Sequence, residues 1–225
     1  MSLKLSLFLI IITLSSNLFA NFTVLIDPGH GGKNKGATSN GIEEKDLTLE
    51  LALKLKAFFK KHPDKKIKIL FSRTTDQNLK IKKRAEMIEK AKPDLYISLH
   101  FNSQKFLTTT RGFEIYYPSD SLDKNSKEMA KKYDRANRSF YYGKFFKNLY
   151  FKANLHTTWK LPFNLFTQKY GLKLFDETSV PGLLLEIAYL SSPDDRACIE
   201  NKDFMADIAW YIYDAIKKIS KKKAK

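Results

Sequence analysis

Short β-rich runs alternate with longer amphipathic stretches from Asn21 onward, and this alternation restricts the possible folds more than any other feature. Thr23-Val24-Leu25-Ile26 reads as a buried strand that stops at Asp27-Pro28-Gly29-His30-Gly31-Gly32, where Pro and Gly punctuate the chain. Further strands are predicted at 67–71, 94–99, 111–117, 172–175 and 182–187. Between 45 and 61, Leu47, Leu51, Leu55, Phe58 and Phe59 recur at helical spacing, which predicts a helix closed by His62-Pro63. Helices are also predicted at 79–91, about 121–154 and 203–219. With 225 residues and 43% hydrophobic content, the chain can bury one sizeable core. The expectation is a single-domain α/β fold with a mostly parallel or mixed sheet and helices on both faces.

Residues 1–20 differ from the rest. Lys4 precedes an apolar run from Leu5 to Leu14, then a polar Ser15-Ser16-Asn17 break and a small residue at Ala20, which together read as a signal peptide. A spanning helix needs about 20 apolar residues, so no stable transmembrane anchor is expected. The expected location is therefore outside the cytoplasm, in the periplasm or cell envelope. The formal charge of +16 favours an anionic partner, and export argues against nucleic acid. Lysines concentrate at the end of the chain, from Lys217 to Lys225, and residues 220–225 read as a basic tail.

A single cysteine excludes a disulfide framework and any multi-cysteine metal site. Any metal must then be held by His and carboxylates, and there are four histidines. His30 lies just past the first strand and His100 at the end of the third, and the carboxyl ends of strands are where catalytic groups converge in open α/β sheets. His62 and His156 sit in ordinary polar connections. Glu43 and Glu44 open the first long helix, where either could serve the helix dipole or return to His30. Glu186 stands inside the apolar run Leu183–Ala188, where an ionised carboxylate needs either a nearby metal or an Arg or Lys partner.

Two histidines, one or two carboxylates and no thiols suit a catalytic zinc site with an open position for water. A spare glutamate could then move protons in amide hydrolysis. Nucleophile chemistry has weaker support. There is no Gly-x-Ser-x-Gly elbow, and Cys198 sits in a context that suits packing. Gly29-x-Gly31-Gly32 lacks the Gly-Lys-Ser/Thr ending of a phosphate loop.

Five stretches, in order along 23–219, carry a resemblance. Val24 to Gly32, Glu44-Lys45, Ser98-Leu99-His100-Phe101-Asn102, Arg111-Gly112-Phe113-Glu114, and Val180 to Glu186 with Leu190-Ser191 resemble the zinc-dependent N-acetylmuramoyl-L-alanine amidases of the type 3 family. The resemblance implies one zinc ion held by His30, Glu44 and His100, with Glu186 as catalytic acid/base. It also implies cleavage of peptidoglycan between N-acetylmuramic acid and L-alanine of the stem peptide, in wall remodelling or daughter-cell separation. Asn102 and Arg111, within the matching motifs, are expected to contact substrate. Ala188-Tyr189 departs from the Gly-Phe usual in the family after the glutamate. Residues 118–170 match poorly and read as a helical insert.

Some relatives carry a blocking helix here, expected in this chain at Ser121 to Phe140, so the resemblance also implies a protein activator, with Glu128 or Asp134 closing the open zinc position. An ordinary surface helix is the alternative. The catalytic domain is expected to span 21–219, with no recognisable wall-binding module. The alternative functions are another exported zinc-dependent amide hydrolase and a non-catalytic basic wall-binding protein.

Overall fold

The computed structural model describes residues 22–105, 109–118, 127–169 and 172–223, with the side chains at 127–133, 165, 168–169 and 223 left outside the description. The expected signal peptide at 1–20 lies outside the described residues. The first half of the chain comprises β1 (Phe22–Pro28), the short strands β2 (Thr38–Ser39) and β3 (Ile42–Glu43), α1 (Glu44–Lys61), β4 (Ile67–Phe71), α2 (Ile81–Ala91) and β5 (Leu95–Asn102). The second half comprises β6 (Phe113–Pro118), α3 (Lys127–Lys152), α4 (Leu155–Thr158), β7 (Phe163–Lys169), α5 (Lys173–Asp176), β8 (Gly182–Tyr189), α6 (Pro193–Ile199) and α7 (Phe204–Lys223).

Six strands form one sheet in the order β4-β1-β5-β8-β6-β7. Strands β4, β1, β5 and β8 run parallel. Strand β6 is antiparallel to β8 and parallel to β7, so the sheet is mixed. The continuous apolar character of β1 follows from burial on both faces. Val24 and Ile26 join the larger core under α1, α3 and α7, with Leu51, Phe146 and Ile212, whereas Leu25 joins a smaller core with Ile88, Tyr96 and Phe175.

The unequal cover of the two faces makes the cleft. On the smaller side, the 11-residue α2 and four-residue α5 pack near Leu25, Tyr96 and Leu184. Side chains alternate along a strand, so the next residues on that face are Asp27 in β1, Ser98 and His100 in β5 and Glu186 in β8. All are polar, and they lie at the carboxyl ends of the parallel strands.

The structure corrects the sequence reading in several places. The predicted strand at 172–175 is helix α5, because a short apolar run carries no period that separates strand from helix. Strand β7 was not anticipated, and neither was α6. The latter carries its start signals in sequence: Ser192 accepts a hydrogen bond from the Asp195 amide, and Pro193 occupies the first turn. The tail expected at 220–225 is helical as far as Lys223, with Ser220 buried and the Lys222 ammonium 4.9 Å from the Phe145 ring centre. Among the described residues no helix is long and apolar enough to cross a membrane.

Candidate metal centre

Two buried arginines shape the loop that leaves β1. Arg84 donates to the Asp27 carboxylate at 2.5 Å and to the carbonyls of Pro28 and His30 at 2.6 and 2.5 Å. Arg73 donates to the carbonyls of Pro28 and Gly29 at 3.1 and 2.7 Å, and Thr48 also donates to Gly29 O. Drawing three successive carbonyls inward holds His30 at φ 56°, a left-handed conformation rare outside glycine. Asp27 is itself buried and accepts from Ser72 and Ser98 as well. Replacing Arg84 by Leu would leave this carboxylate without its cation, so we expect a loss of about 3–5 kcal/mol in stability. The midpoint of denaturant unfolding checks it.

The β2–β3 turn sets the start of α1, where the Glu44 amide donates to Ala37 O at 2.9 Å. The Glu44 carboxylate then lies between both histidines, Oε2 at 3.0 Å from His30 Nε2 and Oε1 at 2.7 Å from His100 Nδ1. The amides of Ala37 and Phe101 donate to the same two oxygens. Burial pushes the Glu44 carboxyl upward, but hydrogen bonds from His100 and His30 outweigh it and hold the group well below the usual carboxylate range. Burial likewise pushes the His30 imidazole down, and the bond and charge of Glu44 more than reverse that, aided by Asn34. Glu43 points elsewhere, pairing with Lys35 and Lys45. Neither acid caps α1, so tertiary contacts alone separate their roles.

His30, Glu44 and His100 offer two imidazole nitrogens and one carboxylate oxygen, all within 4.8 Å of one another. Asn34 Oδ1 lies 3.0 Å from His30 Nδ1, a contact that leaves Nε2 for a ligand's role. The cradle is tight. A Cβ on Gly29 would sit 2.4 Å from the His100 ring, and one on Gly36, where φ is +70°, would sit 2.4 Å from Glu44 Oε2 and 2.6 Å from the His30 ring. This donor set and close backbone fit a three-ligand zinc site. Gly29→Ala should displace the His100 ring and weaken zinc binding about 10- to 100-fold, the range seen when groups supporting metal ligands are altered. Competition with a chromogenic chelator measures it.

Glu186 stands beside His100 in the sheet and is flanked on its other side by Glu114. Its Oε2 is buried and has no hydrogen-bond partner among the described residues. Burial raises its pKa well above the usual value, and the negative charges of Glu44 and Glu114 add to the rise. No Arg or Lys ion pair of Glu186 occurs among the described residues, and the raised pKa favours its protonated, neutral form.

Glu114 was missed as a member of this row, although the alternation of Phe113 to Tyr117 placed it on one face. It accepts from Tyr116 OH at 2.7 Å, Tyr189 OH at 2.6 Å and Asn102 Nδ2 at 3.2 Å. Asn102, expected to meet substrate, thus donates to Glu114.

Arg111, also expected to contact substrate, is engaged by the fold itself. Its guanidinium pairs with Asp194 and Asp195 and donates to Lys160 O, so the donors expected for substrate brace the start of β6 against α6. Asp134 pairs with Arg138 at 3.8 Å, and Arg138 reaches Asp94, at the amino end of β5. His100 lies six residues further along, about 20 Å away at ~3.3 Å per residue, so Asp134 is at the wrong end of the sheet to close the zinc position. The side chain of Glu128 lies outside the described residues. Cys198 is buried, with its thiol on Trp159 O, and His156 packs on Phe151.

Comparison with known proteins points one way. Residues 24–218 match the family model described as N-acetylmuramoyl-L-alanine amidase. The chain is 27% identical to the probable N-acetylmuramoyl-L-alanine amidase AmiB of Haemophilus influenzae, over 96% of this chain and 56% of the relative. It is 25% identical to the germination-specific N-acetylmuramoyl-L-alanine amidase of Bacillus subtilis, over 86% of this chain and 77% of the relative. The endolysin of Bacillus phage SPP1 is 27% identical over 83% of this chain and 61% of the relative, so the chain spans little more than half the length of some curated relatives. Among solved structures, the catalytic domain of CwlV from Bacillus (Paenibacillus) polymyxa superposes with a TM-score of 0.69 at 27% identity, covering 88% of this chain and 97% of that one. An amidase from Clostridium difficile 630 gives 0.70 at 25% identity, covering 89% and 97%. With a family model matched over almost all of its folded length and these motifs gathered at one sheet end, the chain belongs to the type 3 N-acetylmuramoyl-L-alanine amidase family.

Proposed function

We propose that this protein hydrolyses the amide joining the lactyl group of N-acetylmuramic acid to L-alanine of the peptidoglycan stem peptide. His30, Glu44 and His100 would hold one zinc ion, and Glu186 would act as general acid and base. The observation that carries this reading is the half-buried Glu186, whose inner oxygen Oε2 has no hydrogen-bond partner among the described residues, beside a His-Glu-His set. When bound, zinc supplies Lewis-acid polarisation of the scissile carbonyl and acidifies an attacking water. Glu186 takes a proton from that water and delivers it to the leaving nitrogen of L-alanine, so one carboxylate serves both halves of the reaction. Burial and the charges of Glu44 and Glu114 raise its pKa, and the positive charge of a bound zinc ion would oppose that rise, so that the carboxylate form can accept the first proton. Asn102, Tyr116 and Tyr189 keep the neighbouring Glu114 fixed, so that its negative charge stays beside Glu186. Mass spectrometry of products from purified wall, with and without chelator, tests the reading: new L-alanine amino termini should appear only without chelator.

Residues 1–20 support export to the periplasm or cell envelope, and the +16 charge supports attraction to an anionic wall. Removing residues 220–225 deletes four lysines. Co-sedimentation with insoluble wall at low salt should weaken, and salt should abolish the difference, while turnover of a small soluble fragment stays nearly constant.

A further inference from the structure

A cavity of about 410 Å³ opens from His30 and His100 toward α2 and α5. Its wall is mixed in a particular way. Leu172, Leu174, Leu184 and Ile81 form an apolar lining, and Lys80 and Lys173, both exposed, stand at α2 and α5 on its rim. Neither ammonium takes part in an ion pair among the described residues, although much of the remaining lysine near this end of the sheet is paired, as Lys35 and Lys45 are with Glu43. The cavity wall holds no aromatic side chain other than the two histidine rings themselves. Sugar rings are usually met by flat aromatic faces, whereas this cavity offers aliphatic surface, the polar side chains of Asn34, Asn78 and Ser98, and two cations on its rim.

Resting on the amidase reading above, we propose that this cavity receives the peptide side of the substrate and that Lys80 and Lys173 bind a free carboxylate on the stem. The scissile amide divides the substrate into a neutral sugar and an acidic peptide. The lactyl carboxyl is consumed in the amide itself, so the sugar brings no charge to match two ammonium groups. The second stem residue, a D-glutamate joined through its side chain, carries a free α-carboxylate one residue from the amide. Its methylenes and the methyl of L-alanine match the leucine and isoleucine lining, and a dipeptide fits the stated volume. Charge and shape therefore set the polarity of binding: peptide toward α2 and α5, sugar toward β6 on the far side of Glu186. The same lysines would discriminate against walls in which that carboxylate is amidated.

The test uses the zinc-loaded full chain and two free tripeptides that begin with L-alanine, one with D-glutamate and one with D-isoglutamine at the second position. Calorimetry should show the acidic peptide binding about tenfold more tightly than the amidated one, the scale of a hydrogen bond to a charged group. The double variant Lys80→Met/Lys173→Met should abolish that preference, and Lys80→Glu/Lys173→Glu should invert it, with unchanged zinc content. Equal binding of both peptides by the unaltered protein, or an undiminished preference in the double variant, would overturn the proposal. Release of stem peptide from a muramoyl tripeptide is measured in parallel. Its absence, with the binding preference intact, would overturn the amidase reading and leave the carboxylate subsite standing.

Discussion

Replacing His100 by Ala should reduce zinc from about one ion per chain to nearly none and lower wall hydrolysis about 10³-fold or more, while circular dichroism and solubility are retained. The size follows from the several kcal/mol that a Lewis acid contributes to the transition state, at about 1.4 kcal/mol per factor of ten. The fold should survive because the His100 ring is partly exposed and lies at the end of β5, beyond the apolar contacts of Leu95, Ile97 and Leu99. His30 needs a more careful substitution. Its φ of 56° is unfavourable for Ala, so a loss of metal in His30→Ala would mix ligand removal with loop rearrangement. His30→Asn tolerates the left-handed conformation and isolates the ligand. Elemental analysis of the purified variants decides the matter. Full zinc in the His30→Asn/His100→Ala double variant would rule out this centre.

The second large effect belongs to Glu186. Glu186→Gln should keep zinc and fold while losing 10²–10⁴ in rate, about what a positioned acid and base contributes. In the zinc-free protein the substitution also removes a carboxyl whose ionised form is opposed by burial and by Glu44 and Glu114, so the zinc-free variant should be no less stable and should gain stability relative to the zinc-free parent as pH rises. The sign follows from linkage. A carboxyl with a raised folded pKa is destabilising once the unfolded chain can ionise, from about pH 4.3 upward, and an amide has no such term. Zinc content, single-turnover rates and thermal unfolding of the zinc-free forms at pH 5 and 8 read the three consequences separately. Loss of metal together with activity would make Glu186 a ligand and require a different base.

Much of the centre was legible because the relevant patterns are local. The Pro-Gly break after β1 marks where His30 leaves the sheet, and the alternation through Tyr96-Ile97-Ser98-Leu99-His100 puts His100 at a strand end. Glu186 was conspicuous as a charge within an apolar run. What these patterns could not supply was partnership. Glu43 and Glu44 are chemically identical neighbours, and only the position of α1 against β5 sends Glu44 to the histidines and Glu43 to Lys35 and Lys45.

Arg111 shows a partnership that the sequence did not disclose. A cation within a matching motif reads naturally as a substrate contact, but Asp194 and Asp195 on α6 reach it from more than 80 positions away. Asp134 looked able to approach the zinc because its helix was known and its place on the sheet was not. Arg84 and Arg73, which hold the His30 loop, drew no attention in sequence, since an arginine in an amphipathic helix, like Arg84, or in a polar connection, like Arg73, normally faces water.

By itself, then, the sequence determined the alternation of strands and helices, the apolar interior, the donor types available for a metal and their positions at strand ends. These depend on periodicities of two and 3.6 residues and on Gly and Pro, which act over a few positions. The tertiary structure alone decided that β8 lies between β5 and β6, so that His100, Glu186 and Glu114 form one row. It also opened a cavity beside His30 and His100, where the described elements on that face, α2 and α5, are short. Cross-strand neighbours that are far apart in sequence are selected by closure and packing of the whole sheet, and no local periodicity encodes them.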